Sequence, residues 1–264
     1  MPQISRISTI NLETQRMNTF TSEASQSRPL LMQHGASSTT AAVMPLGEAL
    51  RARRSSRGFL PDAVPEEIIQ AALQDAQYSP SNCNTQPWNV HIVSGAKRDE
   101  LADALLRANA QGNFSPDFSF DMETFYGPYR ERQNAQGKSY YESLEVAIDD
   151  LPARQEAAAR NYRFFDAPHA AFLFMPSFGD NVRVAADIGM YAQSFLLALA
   201  GRGIGSIPQT SLGFFADVVR DVLGVPAEFK LLFGISFGYH DDAAKGNTER
   251  LGRASLTESV TLHR

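Results

Sequence analysis

The chain has 264 residues, of which 43% are apolar and 20% charged, and its formal net charge is −5. That composition suits a globular chain able to bury a core unaided, and its acidic balance excludes a general attraction to nucleic acid or to an anionic membrane surface. A single cysteine, Cys83, excludes an intrachain disulfide and a multi-cysteine zinc site, while the five histidines are scattered without metal-ligand spacing, so no metal is expected.

Residues 1–44 are rich in Ser, Thr and Gln and carry no sustained apolar period, which predicts a disordered N-terminal extension. They lack the apolar core of a secretory signal. Residues 45–264 read as one folded domain. PLGEALRARRS predicts a short helix. PEEIIQAALQDAQY predicts a second, opened by Pro65 and closed before Ser79-Pro80. SPSNCNTQP is a loop, WNVHIVSG a strand and KRDELADALLRANA a third helix. Residues 111–141 read as irregular and aromatic-rich, followed by a helix over 141–163 and a strand at AAFLFMPSF. VAADIGMYAQSFLLALAG is apolar almost all round and predicts a buried helix, capped by Gly201 or Gly203. GIGSIPQTSLG reads as a loop, FFADVVRDVLG as a helix ended by Gly224 and EFKLLFGISFGY as a strand. The longest unbroken apolar runs, FLLALA and AAFLFM, fall short of the ~20 residues of a bilayer span, so no membrane association and a cytoplasmic location are expected. The element order predicts α+β, with helices flanking one sheet.

Two stretches stand out chemically. RRSSRGF, residues 53–59, puts three arginines and two serines into an acidic chain. It reads either as a solvated helix end or as a clamp for one phosphate, since guanidinium forks and hydroxyls match phosphate oxygens. SPSNCNTQPW, residues 79–88, gathers Asn82, Asn84 and Gln86 between prolines beside the only tryptophan. It reads either as a polar connection or as a preorganised set of amides for the edge of a heteroaromatic ring. Cys83 has no histidine or acid nearby in sequence to activate a thiolate. GRGIGS at 201–206 lacks the third glycine and the preceding strand of a dinucleotide fingerprint. Arg250 and Arg253 read as tail charge or as a second contribution to the same phosphate.

RRSSRGF, SPSNCNTQPW some twenty residues on, then DIGMYAQSFLLALAGRGIGSIPQTS, GISFGYHDD and a closing R-x-x-R-x-x-L together resemble the FMN-dependent nitroreductase family, in its nitrobenzoate-reductase-like branch. The similarity covers roughly residues 45–264. It implies a nitroreductase-like fold with a central, mostly antiparallel sheet, and a homodimer binding FMN where the two chains meet. It implies that Arg53, Arg54, Ser55 and Arg57 hold the flavin phosphate and ribityl chain, with Arg250 or Arg253 adding a second phosphate contact. Pro80, Ser81 and Asn82 would cover the flavin of the partner. Asn84 and Gln86 would fix that loop or touch the ring, and Thr210 and Ser211 would place a backbone N–H near flavin N5. NADPH or NADH would deliver hydride in a ping-pong cycle that reduces nitroaromatics, quinones or related electrophiles, with no dedicated acid–base residue. Phe125, Tyr126 and Tyr129 are candidate substrate contacts, against a packing role for the same aromatics. The alternatives are a specialised flavin enzyme such as a reductive dehalogenase, a flavin-binding protein without turnover, and a basic interaction module.

Overall fold

The computed structural model describes residues 43–248 and 250–264. The extension expected over residues 1–44 therefore lies outside the described residues, apart from Val43 and Met44, whose segment is tied down where the Met44 N–H donates to Gly201 O at 2.8 Å. Eight α-helices and four strands follow in the order α1 (Leu46–Ala52), α2 (Glu66–Ala76), β1 (Asn89–Ser94), α3 (Gly95–Gln111), α4 (Gly127–Ser143), α5 (Leu151–Ala159), β2 (His169–Pro176), α6 (Val182–Gly201), β3 (Gly205–Gln209), α7 (Ala216–Leu223), β4 (Phe229–Gly238) and α8 (Leu256–Ser259). The strands form one sheet in the order β1-β2-β4-β3, antiparallel throughout.

Strand β2 shows why the core has two layers. Its alternate side chains leave opposite faces. Ala170, Phe172 and Phe174 join the cluster built with Leu101 and Leu105 of α3 and Val219 of α7. Ala171, Leu173 and Met175 join the cluster built with Ala72 of α2 and Ile188, Tyr191 and Phe195 of α6. Burying each large side chain is worth about 1.5–3 kcal/mol, so the sheet is held from both sides. Helix α6 is long and apolar enough to cross a bilayer by length and composition, yet its apolar residues are spent on this core.

Three predicted elements differ from the structure. The single helix expected over 141–163 is two helices, α4 and α5, and α4 occupies much of the stretch read as irregular. Gly127, at φ +48°, and Pro128 open α4. Glu145, at φ +59°, lies past its end, and Asp150 starts α5 by accepting from Ala153 N at 3.0 Å. GIGSIPQTSLG is not a loop throughout. Residues 205–209 form the edge strand β3, where Pro208 is tolerated because an edge strand leaves one side unpaired. The next five residues, Thr210–Phe214, form a 3₁₀ turn pressed onto β4. That approach needs glycine at 234, since a Cβ there would sit 2.5 Å from Leu212 Cδ1. Helix α6 ends as expected at the second of its two candidate glycines: it runs through Gly201 to a C-cap at Arg202, and Gly203 follows in the left-handed region at φ +77°.

Candidate active site

Helix α1 ends at Ala52, and Arg53 turns to extended backbone (ψ 123°). RRSSR is therefore not a solvated helix end. It runs along the free edge of β3, with Ser55 bridging Ser206 in parallel fashion and the Ser56 N–H donating to Ser206 O at 3.1 Å. The buried side chain of Asn247 locks this segment. It accepts from Arg57 N at 2.6 Å and donates to Gly58 O at 2.9 Å and Asp241 O at 2.8 Å. Close packing there requires Gly58, whose missing Cβ would fall 2.3 Å from that of Ala244.

This lock brings the two ends of the domain together. Arg250 donates to Arg51 O at 3.4 Å, and Arg253 is near enough to act on Arg53. Burial, and then the Arg253 guanidinium, hold Arg53 below the ordinary arginine range. Burial does the same to Arg57, partly offset by Tyr140, whose ring centroid lies 5.2 Å from the guanidinium. Arg54 has a carboxylate partner, Asp242 at 3.2 Å. Among the described residues Arg53, Arg57, Arg250 and Arg253 have none. Arg53 and Arg57 are partly buried, whereas Arg250 and Arg253 are exposed, and a partly buried cation without counter-charge is costly unless an anion joins it.

His240 braces the cluster. Arg54 Nη2 donates to His240 Nε2, so the ring proton sits on Nδ1, 2.9 Å from Ser56 Oγ. Burial, then the Arg54 charge, lowers the His240 pKa, with Asp242 and Asp241 opposing and Arg250 adding to the fall. The ring is thereby kept neutral as the acceptor Arg54 needs.

Two clefts open beside these residues. The first, about 190 Å³, is lined by Arg53, Arg54, Ser56, Gly205, Ser206 and Arg250. The second, about 1050 Å³, is lined by Arg57, Tyr140, Tyr141, Pro208, Thr210 and Ser211, among others. Its floor is fixed by Gln209, which is buried, donates to Asn161 O at 3.0 Å and accepts from Ser236 Oγ. Phe165, on its wall, belongs to the left-handed run Phe164, Phe165, Asp166 (φ 60°, 53° and 68°). Consecutive non-glycine residues in that region store strain of the kind that gathers at ligand sites.

The 79–88 stretch is placed differently. Asn82 N donates to both carboxylate oxygens of Asp187, at 3.0 and 3.1 Å, and Ser79 Oγ bonds Ser194 at 2.8 Å, so the loop sits on α6. Cys83, Asn84 and Gln86 all adopt positive φ (50°, 54° and 47°), held by Gln86 N on Ser81 Oγ at 2.9 Å and by Gln86 Nε2 on Asn84 O at 3.3 Å. Pro80, Asn82, Asn84 and Gln86 are exposed, Ser81 half-exposed, and none of the five lines either cleft. Phe125, Tyr126 and Tyr129 are likewise exposed and outside both clefts, with Tyr126 and Tyr129 stacked edge to face at 5.6 Å. The structure thus brings Arg53, Arg54 and Arg250 to the smaller cleft, with Arg253 near Arg53, and Arg57, Thr210 and Ser211 to the larger one, and leaves the loop and these aromatics outside both.

Asn247, His240, Gln209 and Asp187 escaped the sequence reading. For Asp187 a signal existed, because a carboxylate inside the apolar run VAADIGMY needs a buried donor.

An antiparallel sheet cradled by helices, with an uncompensated arginine cluster opening onto a cleft, defines a protein that holds an anionic small molecule against a rigid floor. The comparisons make the class specific. The family model described as "Nitroreductase family" matches residues 50–239. Nitroreductase NfnB of Mycolicibacterium smegmatis is 45% identical over 215 residues, covering 81% of this chain and 91% of that protein. The 4-nitrobenzoate reductase of Pseudomonas putida is 29% identical over 203 residues, covering 76% and 88%. A crystal structure of the FMN-dependent NfnB from Mycobacterium smegmatis in complex with NADPH superposes with a TM-score of 0.80 at 44% identity, covering 83% of this chain and all of that one. The chain belongs to the nitroreductase family, and its α+β fold is the nitroreductase fold.

Proposed function

We propose that this protein is an FMN-dependent oxidoreductase that uses NADPH to reduce nitroaromatics and related electrophiles such as quinones. The observation that carries the reading is a set of arginines without carboxylate partners among the described residues, Arg53 and Arg250 on the smaller cleft, Arg253 near Arg53, and Arg57 on the larger cleft that Thr210 and Ser211 also line. A phosphate monoester supplies the counter-charge they lack. The residues present therefore fit FMN. The relative of known structure is FMN-dependent and was solved with NADPH, and another relative is a 4-nitrobenzoate reductase.

Arg53, Arg54, Ser55 and Arg57 would hold the phosphate and ribityl chain, with Arg250 or Arg253 adding a second phosphate contact. Arg54 would be presented by neutral His240. The Thr210–Ser211 backbone, fixed by Gln209 and by the packing on Gly234, would face the flavin edge. FMN, when bound, supplies two-electron transfer from a reduced nicotinamide to an electron-poor aromatic.

The exposed loop residues Pro80, Ser81, Asn82, Asn84 and Gln86 have no part in this chain's clefts, and they would complete the site of a second copy. The working form is accordingly a homodimer. Phe125, Tyr126 and Tyr129 would meet the substrate in that assembly. No metal takes part, the catalytic domain is residues 45–264, and the enzyme works in the cytoplasm. The test is anaerobic titration of the purified yellow protein. NADPH is expected to bleach the flavin band and 4-nitrobenzoate to restore it; a colourless protein, or one that NADPH leaves unbleached, contradicts the reading.

A further inference from the structure

The larger cleft is roomier than one ring system requires. At about 1050 Å³ it exceeds the roughly 300–1,000 Å³ typical of a small-molecule site. Adjacent tyrosines on its α4 wall engage different cations. Tyr140 faces Arg57, and Tyr141 lies under the guanidinium of Arg154 from α5, 3.8 Å from the ring centroid. Stacking fixes the plane of that guanidinium and leaves its N–H edges free. The nearby ion pairs go to Lys138, Arg160 and Arg163, and among the described residues none goes to Arg154. Lys138 lines the same wall, its ammonium 3.7 Å from Glu142, the only acid among the described residues that line the cleft. The cleft thus carries Arg57, Lys138 and Arg154 against Glu142.

We propose that Arg154, oriented by Tyr141 and assisted by Lys138, binds the 2′-phosphate on the adenosine ribose of the reducing dinucleotide and so makes the enzyme prefer NADPH to NADH. The inference rests on the reading that a nicotinamide dinucleotide reduces the bound flavin. Two cations suit a phosphate monoester, with its charge of about −1.5 to −2, better than a single carboxylate. Arg57 is assigned to the flavin phosphate and ribityl chain, which leaves Arg154 as the specificity residue.

The experiment uses the flavin-loaded protein and two probes, adenosine 2′,5′-bisphosphate and adenosine 5′-monophosphate, with binding measured by calorimetry. The bisphosphate is expected to bind at least tenfold more tightly than the monophosphate. Arg154→Ala is expected to remove that difference without altering the flavin absorbance of the purified protein, and to lower the NADPH-to-NADH ratio of kcat/KM by a similar factor. Arg154→Lys, which keeps the charge and loses the fork, is expected to recover part of it. Equal binding of the two probes to the unmodified protein, or an unchanged bisphosphate affinity in Arg154→Ala, overturns the subsite while reduction by dinucleotide persists. If Arg154→Ala instead erases discrimination between 4-nitrobenzoate and nitrobenzene and leaves both probes unaffected, the residue reads a substrate carboxylate and the proposal fails. A flavoprotein reduced by neither dinucleotide sinks the functional reading and the subsite together.

Discussion

The two walls of the larger cleft are built in opposite ways. On one side, Arg57 and the 208–211 segment are fastened to the sheet by Asn247, Gln209, Ser206 and a 3₁₀ turn that touches β4 without an intervening side chain. On the other side stands α4, seventeen residues long with none buried, whose later turns line the cleft while Tyr126 and Tyr129 at its start are exposed outside it. The fastened wall suits a group that stays in place through every turnover. The exposed wall suits reactants that come and go, because few buried contacts oppose small movements there.

That contrast can be broken by mutation. The largest effect is expected at Asn247. Asn247→Leu strands the Arg57 N–H, at about 1–3 kcal/mol for an unmade buried bond, and removes one donor each from Gly58 O and Asp241 O, which keep the backbone N–H of Asp241 and Ala244. A stability loss of about 2–4 kcal/mol in urea unfolding, with most of the flavin gone, is expected; unfolding at the unmodified midpoint would show that the segment is held by something else. Asp187→Ala comes next. It leaves Asn82 N–H without its acceptor and frees the strained 82–86 loop, for about 1–2 kcal/mol of stability. Faster hydrogen exchange confined to residues 80–87 is the expected signature, and unchanged exchange there would mean that the loop holds its shape alone.

Acid is expected to act more gently. Burial is the first cause lowering the pKa of His91, His169 and His240. His169 accepts from Val64 N at 2.9 Å, and its buried Nδ1 has no partner among the described residues. A histidine with a depressed folded-state pKa binds fewer protons folded than unfolded in the window between the two values. Stability is therefore complete above about pH 6.5, the ordinary histidine value, and falls as the pH drops below it. Melting temperatures from pH 7.5 to 5.5 should decline, and His169→Gln should flatten the decline; a flat profile in the unmodified protein would contradict it. The smallest stability effect belongs to the exposed start of α4, outside the cleft. Tyr126→Ala should leave unfolding within about 0.5 kcal/mol and flavin content intact, while shifting the KM for nitroaromatics. Unchanged kinetics would remove Tyr126 from substrate contact.

The same contrast decided what the sequence disclosed. Helix α6 and strand β2 were legible because burial writes apolar runs, and Gly224 marked the end of α7 by its left-handed turn. Helix α4 was hidden because it buries no face and so has no apolar stripe, and β3 because its glycine and proline read as loop. RRSSR and SPSNCNTQP were visible as unusual clusters of short-range chemistry. The residues that aim them were not. Asn247 meets Arg57 across 190 positions, and Asp187 meets Asn82 across 105. No local pattern encodes such pairings. The antiparallel sheet, which returns β4 beside β3 and the 53–59 segment, creates the first, and the packing of α2 and the loop after it on α6 creates the second.

The central claim is that guanidinium groups from both ends of the domain share one phosphate. Flavin affinity of Arg53→Ala, Arg253→Ala and the double variant, measured by fluorescence quenching on reconstituted apoprotein, tests it most directly. Each single change should weaken FMN at least tenfold and riboflavin, which lacks the phosphate, hardly at all, and the double variant should lose less than the product of the two. Equal losses for FMN and riboflavin, or full FMN affinity in the double variant, would contradict it.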